Sequence, residues 1–151
     1  MTRITALVVT TYVLAGSAQV ANQKPNFSGR WIVVSPISAA GEVQTISHDA
    51  TTITLSHGAE AGSEHVIKYV LNGKAHRSVM PSHGSEIVTL ATATWKGEQL
   101  TIVSTSTYPD GNTLNQTQVW SVDAKGQLVV DATEVFTGRA RTTVRYVYRK
   151  Q

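Results

Sequence analysis

The side chains able to do chemistry in this chain are few. They are five histidines (His48, His57, His65, His76 and His83), a pair of tyrosines near the C-terminus, and one acid, Glu134, in a run that is otherwise apolar at every second residue. His57 closes one β-rich run, His65 opens the next, and His83 lies in the turn after a third. Antiparallel strands in succession would gather these three at one end of a sheet and leave His48 and His76 at the other. Three imidazoles beside Glu60 or Glu64 would make a metal site of nitrogen and oxygen donors, with solvated rim histidines as the simpler alternative. The metal candidates are therefore His57, His65 and His83.

Glu134 shares its side with Leu128, Val130, Ala132 and Phe136, while Tyr146 and Tyr148 share a side of the last run. With Trp120 beside them, two phenols and an acid would give an apolar interior the few fixed polar groups that orient a small molecule. Trp120, Glu134, Tyr146 and Tyr148 are the ligand-binding candidates. The alternative is that Glu134 reaches the rim or pairs with an arginine. No Gly-x-Ser-x-Gly, phosphate-cradling glycine loop, cysteine nucleophile or His-x-x-x-His occurs, so the motifs name no catalytic residue and no cofactor.

The elements that must position these groups are strands. Nowhere does the chain sustain an apolar period near 3.6, whereas β-rich runs recur between short turn signals. The pattern predicts strands near 30–35, 43–47, 51–57, 64–71, 74–80, 86–95, 98–107, 113–122, 127–136 and 140–149. Asn72-Gly73 suits a two-residue hairpin turn that would fix the register of its flanking strands. Connections this short join antiparallel neighbours, which predicts an all-β, up-and-down meander closed into a barrel of about eight to ten strands, an open sandwich being the alternative. Period two places Leu100, Ile102 and Ser104 on the inside with Leu114, Gln116, Gln118, Trp120 and Val122, and likewise Val144 with the two tyrosines. An eight-stranded barrel is just wide enough for one small ligand, unless Trp31, Trp95, Trp120 and Phe136 fill it.

Composition bounds the partners. Arg3, the apolar run from Ile4 to Leu14 and the small residues Ala15-Gly16-Ser17-Ala18 read as a signal peptide over residues 1–18. That leaves 19–151 as a single β-barrel domain, secreted or periplasmic. The chain has no cysteine, so packing rather than disulfides must hold the fold. A formal charge of +3 is too small to imply a nucleic-acid partner, and no later apolar run is long enough for an integral membrane segment. Oligomeric state leaves no mark in the sequence. Arg139, Arg141, Arg145, Arg149 and Lys150 crowd the last strand, the odd-numbered ones on one face, as a solvated outer face that also guards a sheet edge.

The start of the barrel is Phe27-Ser28-Gly29-Arg30-Trp31, two large apolar groups around a glycine, both expected to be buried. With Trp95-Lys96-Gly97-Glu98-Gln99-Leu100, Asp110-Gly111-Asn112, Gly126-Gln127-Leu128-Val129-Val130 and the closing Tyr146-Val147-Tyr148-Arg149-Lys150, this stretch resembles the lipocalins and the intracellular fatty-acid-binding proteins. It resembles still more a group of small secreted bacterial lipocalin-like proteins. The resemblance implies a calycin-type β-barrel with Trp31 plugging one end. Two departures limit what it implies for function. The Arg-x-Tyr that grips a carboxylate in fatty-acid-binding proteins is replaced, since Tyr146 stands two before Tyr148 and Arg145 falls on the other face. Between Trp31 and Thr51 there is no room for a two-helix lid.

Together these features favour a barrel that binds a small, partly apolar, neutral molecule. A filled-core cell-envelope protein acting through its basic face is the first alternative, and a small barrel enzyme the second.

Overall fold

Runs rich in Val, Ile, Thr and aromatic residues, alternating in polarity and punctuated by Asp, Asn and Gly, dictate strands joined by tight turns. The computed structural model describes residues 23–57, 65–82 and 84–151. The predicted leader at 1–18, with Glu60, Glu64 and His83, lies outside the described residues. Those described form ten antiparallel strands: β1 (Gly29–Ser35), β2 (Val43–His48), β3 (Thr52–His57), β4 (His65–Val70), β5 (His76–Ser82), β6 (Ser85–Lys96), β7 (Gln99–Thr107), β8 (Thr113–Val122), β9 (Leu128–Phe136) and β10 (Thr142–Lys150). Each begins and ends within two residues of its predicted position.

Local chemistry sets the turns. Asp49 Oδ1 accepts the backbone N–H groups of Thr51 and Thr52, each at 2.8 Å, and so turns β2 into β3. Asp123 does the same between β8 and β9, accepting from Lys125 at 2.8 Å and Gln127 at 2.9 Å. Between β1 and β2 only the single 3-10 turn Ile37–Ala39 intervenes, as the shortage of helix formers there predicts, and it leaves Ile37 92% exposed.

The strands follow one another around the sheet in the order β4-β3-β2-β1-β10-β9-β8-β7-β6-β5, a meander nearly closed into a barrel. This is the all-β, up-and-down meander expected from the sequence. Period two sorts its faces as expected: Trp31, Val33, Ile46, Ile53, Leu55, Leu100, Ile102, Trp120, Leu128, Val130 and Ala132 are buried inside. Phe27 joins them from the segment before β1, and its carbonyl accepts the Trp31 indole N–H at 2.8 Å.

Three expectations are corrected. Asn72-Gly73 does make a turn, with Gly73 at φ +70° and Asn72 Oδ1 accepting the Lys74 N–H at 2.9 Å. Its flanking strands, however, are the two ends of the sheet and share no ladder, because a local turn motif dictates direction reversal but not strand pairing. The barrel therefore has a seam between β4 and β5. Second, β10 is not an edge, since it pairs with β1 on one side and β9 on the other. Its arginines are exposed, and Arg145 is engaged by Asp131 of β9 at 2.6 Å. Third, Val122, predicted inside, is 38% exposed where β8 runs out of the barrel.

Candidate functional site

The candidate ligand-binding side chains lie on β8, β9 and β10. On β8 the side chains of Gln116, Gln118 and Trp120 follow one another on the same face, and across the ladder Gln116 pairs with Glu134, Gln118 with Ala132 and Trp120 with Val130. Three hydrogen bonds join them in a line. The Trp120 indole N–H donates to Gln118 Oε1 at 2.8 Å, the Gln118 amide donates to Gln116 Oε1 at 2.6 Å, and the Gln116 amide donates to Glu134 Oε1 at 2.6 Å. Burial falls along this line. Trp120 is 1% exposed, whereas the two glutamines and Glu134 are only half-buried.

On β10, Tyr146 and Tyr148 are half-buried and 6.3 Å apart between ring centres. Burial, reinforced by the neighbouring Tyr146 and Glu42, pushes the Tyr148 phenol up to about 12. The Tyr146 phenol is raised as well, by burial first and then by the negative charges of Glu134 and Glu42. Both therefore remain neutral phenols at physiological pH. Glu42, in the turn before β2, also acts on His57, whose imidazole is lowered mainly by burial against that acid's opposing pull. A crevice of about 20 Å³ opens between Val33, Glu42, Val43, Gln44, His57 and Tyr148, room for about one water.

The other end of the barrel is aromatic. Phe27, His48 and Trp95 form a cluster of near-parallel rings 5.6–6.0 Å apart, and Phe27 meets Trp120 edge-on at 5.6 Å. His48 Nδ1 accepts the Phe27 backbone N–H at 3.1 Å, and burial lowers its imidazole. An open cleft of about 340 Å³ lies outside this stack, bordered by Lys24, His48, Asp49, Leu71 and Trp95.

All four ligand-binding candidates thus lie on one connected inner surface: Trp120 and Glu134 end the same hydrogen-bonded line, and Glu134 acts on Tyr146, which neighbours Tyr148. His57 and His65 pair across β3 and β4, His83 lies outside the described residues, and among the described residues no three metal-ligating side chains converge. His48 takes the opposite end, as strand direction predicts. Gln116 and Gln118 were predicted to point inward but not to link the site, and Glu42 was not singled out at all. The period-two run Gln116-x-Gln118-x-Trp120 was the available signal for the first two. Glu42 joins through a turn, where no periodicity marks it.

No family model matches the chain, and no curated protein sequence does. Solved structures do match its fold. The zebrafish ileal bile acid-binding protein complexed with cholic acid superposes with a TM-score of 0.56 at 17% identity, covering 83% of this chain and 98% of that one. At that identity the likeness establishes a shared barrel fold.

Proposed function

We propose that this barrel, acting outside the cytoplasm as a secreted or periplasmic protein, binds a small, partly apolar, neutral molecule in its interior, against Trp120, Glu134, Tyr146 and Tyr148. The observation that carries the reading is the change along the inner wall from sealed apolar packing at Trp120 to half-buried amides, phenols and an acid. An apolar wall with a few convergent polar groups is the usual lining of a small-molecule site. That a protein of the same barrel fold is complexed with cholic acid supports small-molecule binding.

The preference for a neutral molecule follows from charge. Tyr146 and Tyr148 face inward on β10, whereas Arg145 and Arg149 flank them on the outer face, and the negative charges of Glu134 and Glu42 both act on Tyr146. A carboxylate brought there finds acids instead of a cation, and its desolvation goes uncompensated.

Displacement of a neutral fluorescent probe such as Nile red tests the reading, with fatty acids compared against alcohols of matched chain length. Alcohols should displace the probe more strongly. Equal or stronger displacement by fatty acids would overturn the neutral preference. Complete failure of any probe to bind would transfer the function to the exposed arginines of β10. Native mass spectrometry of protein from its own host would then identify a retained molecule.

A further inference from the structure

The line from Trp120 to Glu134 has a direction, and the direction comes from chemistry at its buried end. An indole N–H can only donate. Gln118 must therefore turn its oxygen to Trp120 and its amide nitrogen to Gln116, and Gln116 in turn must offer its oxygen to Gln118 and its nitrogen to Glu134. The orientation of an amide is ordinarily ambiguous, but here each amide is fixed by its neighbour, starting from a ring that is 1% exposed. All three protons point along the line toward Glu134. The line thus ends in an acceptor, and a carboxylate has about four lone-pair positions, of which the Gln116 amide takes one.

We infer that the polar end of the bound molecule is a hydrogen-bond donor, a hydroxyl group received by the Glu134 carboxylate, with the apolar body against the wall toward Trp120. This rests on the interior-binding reading above and narrows it from neutral molecules in general to alcohols. A neutral acceptor of the same size, such as an ether or ester, would meet lone pairs with lone pairs. Glu134 is then a specificity-determining residue, and Trp120 a positioning residue that acts on it through Gln118 and Gln116.

The test compares a medium-chain alcohol with its methyl ether as competitors for Nile red, on the full chain and on Glu134→Gln. The wild-type protein should prefer the alcohol by about 10-fold or more, the usual weight of a hydrogen bond to a charged group. In Glu134→Gln the Gln116 amide still requires an oxygen, so the new side chain must present its own N–H₂ to the ligand. The preference should therefore vanish or reverse in favour of the ether, read as the ratio of the two competitors' displacement on the variant itself, whatever the variant's own affinity for Nile red. Circular dichroism would verify that the half-buried, isosteric change leaves the fold intact. Probe binding with no discrimination in the wild type, or an alcohol preference unchanged in Glu134→Gln, overturns the donor inference and leaves interior binding standing. No probe binding to either protein overturns both.

Discussion

The two ends of this barrel solve the problem of an interior differently. At one end Phe27, Trp31 and Trp120 are sealed; the Trp31 indole donates within the plug to the Phe27 carbonyl, and the Trp120 indole donates out of it to Gln118. At the other, β8 continues with Gln118 and Gln116, joined to Glu134 of β9, half-buried and hydrogen-bonded side chain to side chain. One end stabilises by burying apolar area, and the other forgoes that stabilisation to keep polar groups at fixed positions. The difference shows that a strand with a single alternating pattern can build a plug in one half and a recognition surface in the other, because only the identity of the inward residue changes.

The largest expected effect falls on the plug. Trp31→Ala should cost about 3–5 kcal/mol in urea unfolding, as a large-to-small change at a buried position. A loss below about 1 kcal/mol would erase the contrast between the ends. At the junction, Gln118→Leu leaves the buried Trp120 N–H without its acceptor and should cost about 1–3 kcal/mol. A neutral result would mean that the hydrogen-bonded line has no anchor in the plug.

Both ends also carry a histidine whose imidazole is lowered by burial, His48 in the plug and His57 in the polar wall. In the unfolded chain each titrates near 6.5, so the unfolded state takes up protons first as pH falls. Their contribution to stability is complete above that value and is lost as pH drops through it toward the lower folded values. The melting temperature should fall modestly between about pH 7.5 and pH 5.5, the range in which histidine changes charge. Protonated His48 can no longer accept the Phe27 N–H, so His48→Gln should flatten the profile more than His57→Gln. The reverse order would place the pH-sensitive contact in the polar wall. The smallest effect belongs outside both ends. Arg145→Ala, which breaks an exposed ion pair with Asp131, should leave the unfolding midpoint where it is.

The strands and the inward face were legible because both are local properties. β-branched runs, Asp- and Gly-bearing turns and period two sufficed to place Leu100, Trp120, Leu128 and Tyr148 on one side, and to send Arg145 to the other. What was not legible depends on contacts between segments distant in the chain. Asn72-Gly73 encodes a reversal, but whether its flanking strands pair depends on how far the whole sheet curls. The roles of Gln116 and Gln118 depend on amide orientations imposed by Trp120 and received by Glu134, which lies on another strand. Glu42 reaches the tyrosines only because β1 and β2 carry its turn past β10.

The seam between β4 and β5 has a geometric consequence. A fully hydrogen-bonded barrel has a strand number and a stagger that are both integers, so its girth is quantised and can change only by breaking a ladder. Here the sheet is a split ring whose two lips are tied at one end by the Asn72–Gly73 turn. Its circumference is therefore not pinned by a closed ladder, and a rotation at that turn would change it while every ladder from β4 round to β5 stayed intact. Such a rotation would part the lips most at the ends farthest from the turn, where β4 begins at His65 and β5 ends at Ser82. A bulky molecule could thus pass through the wall without any strand leaving the sheet.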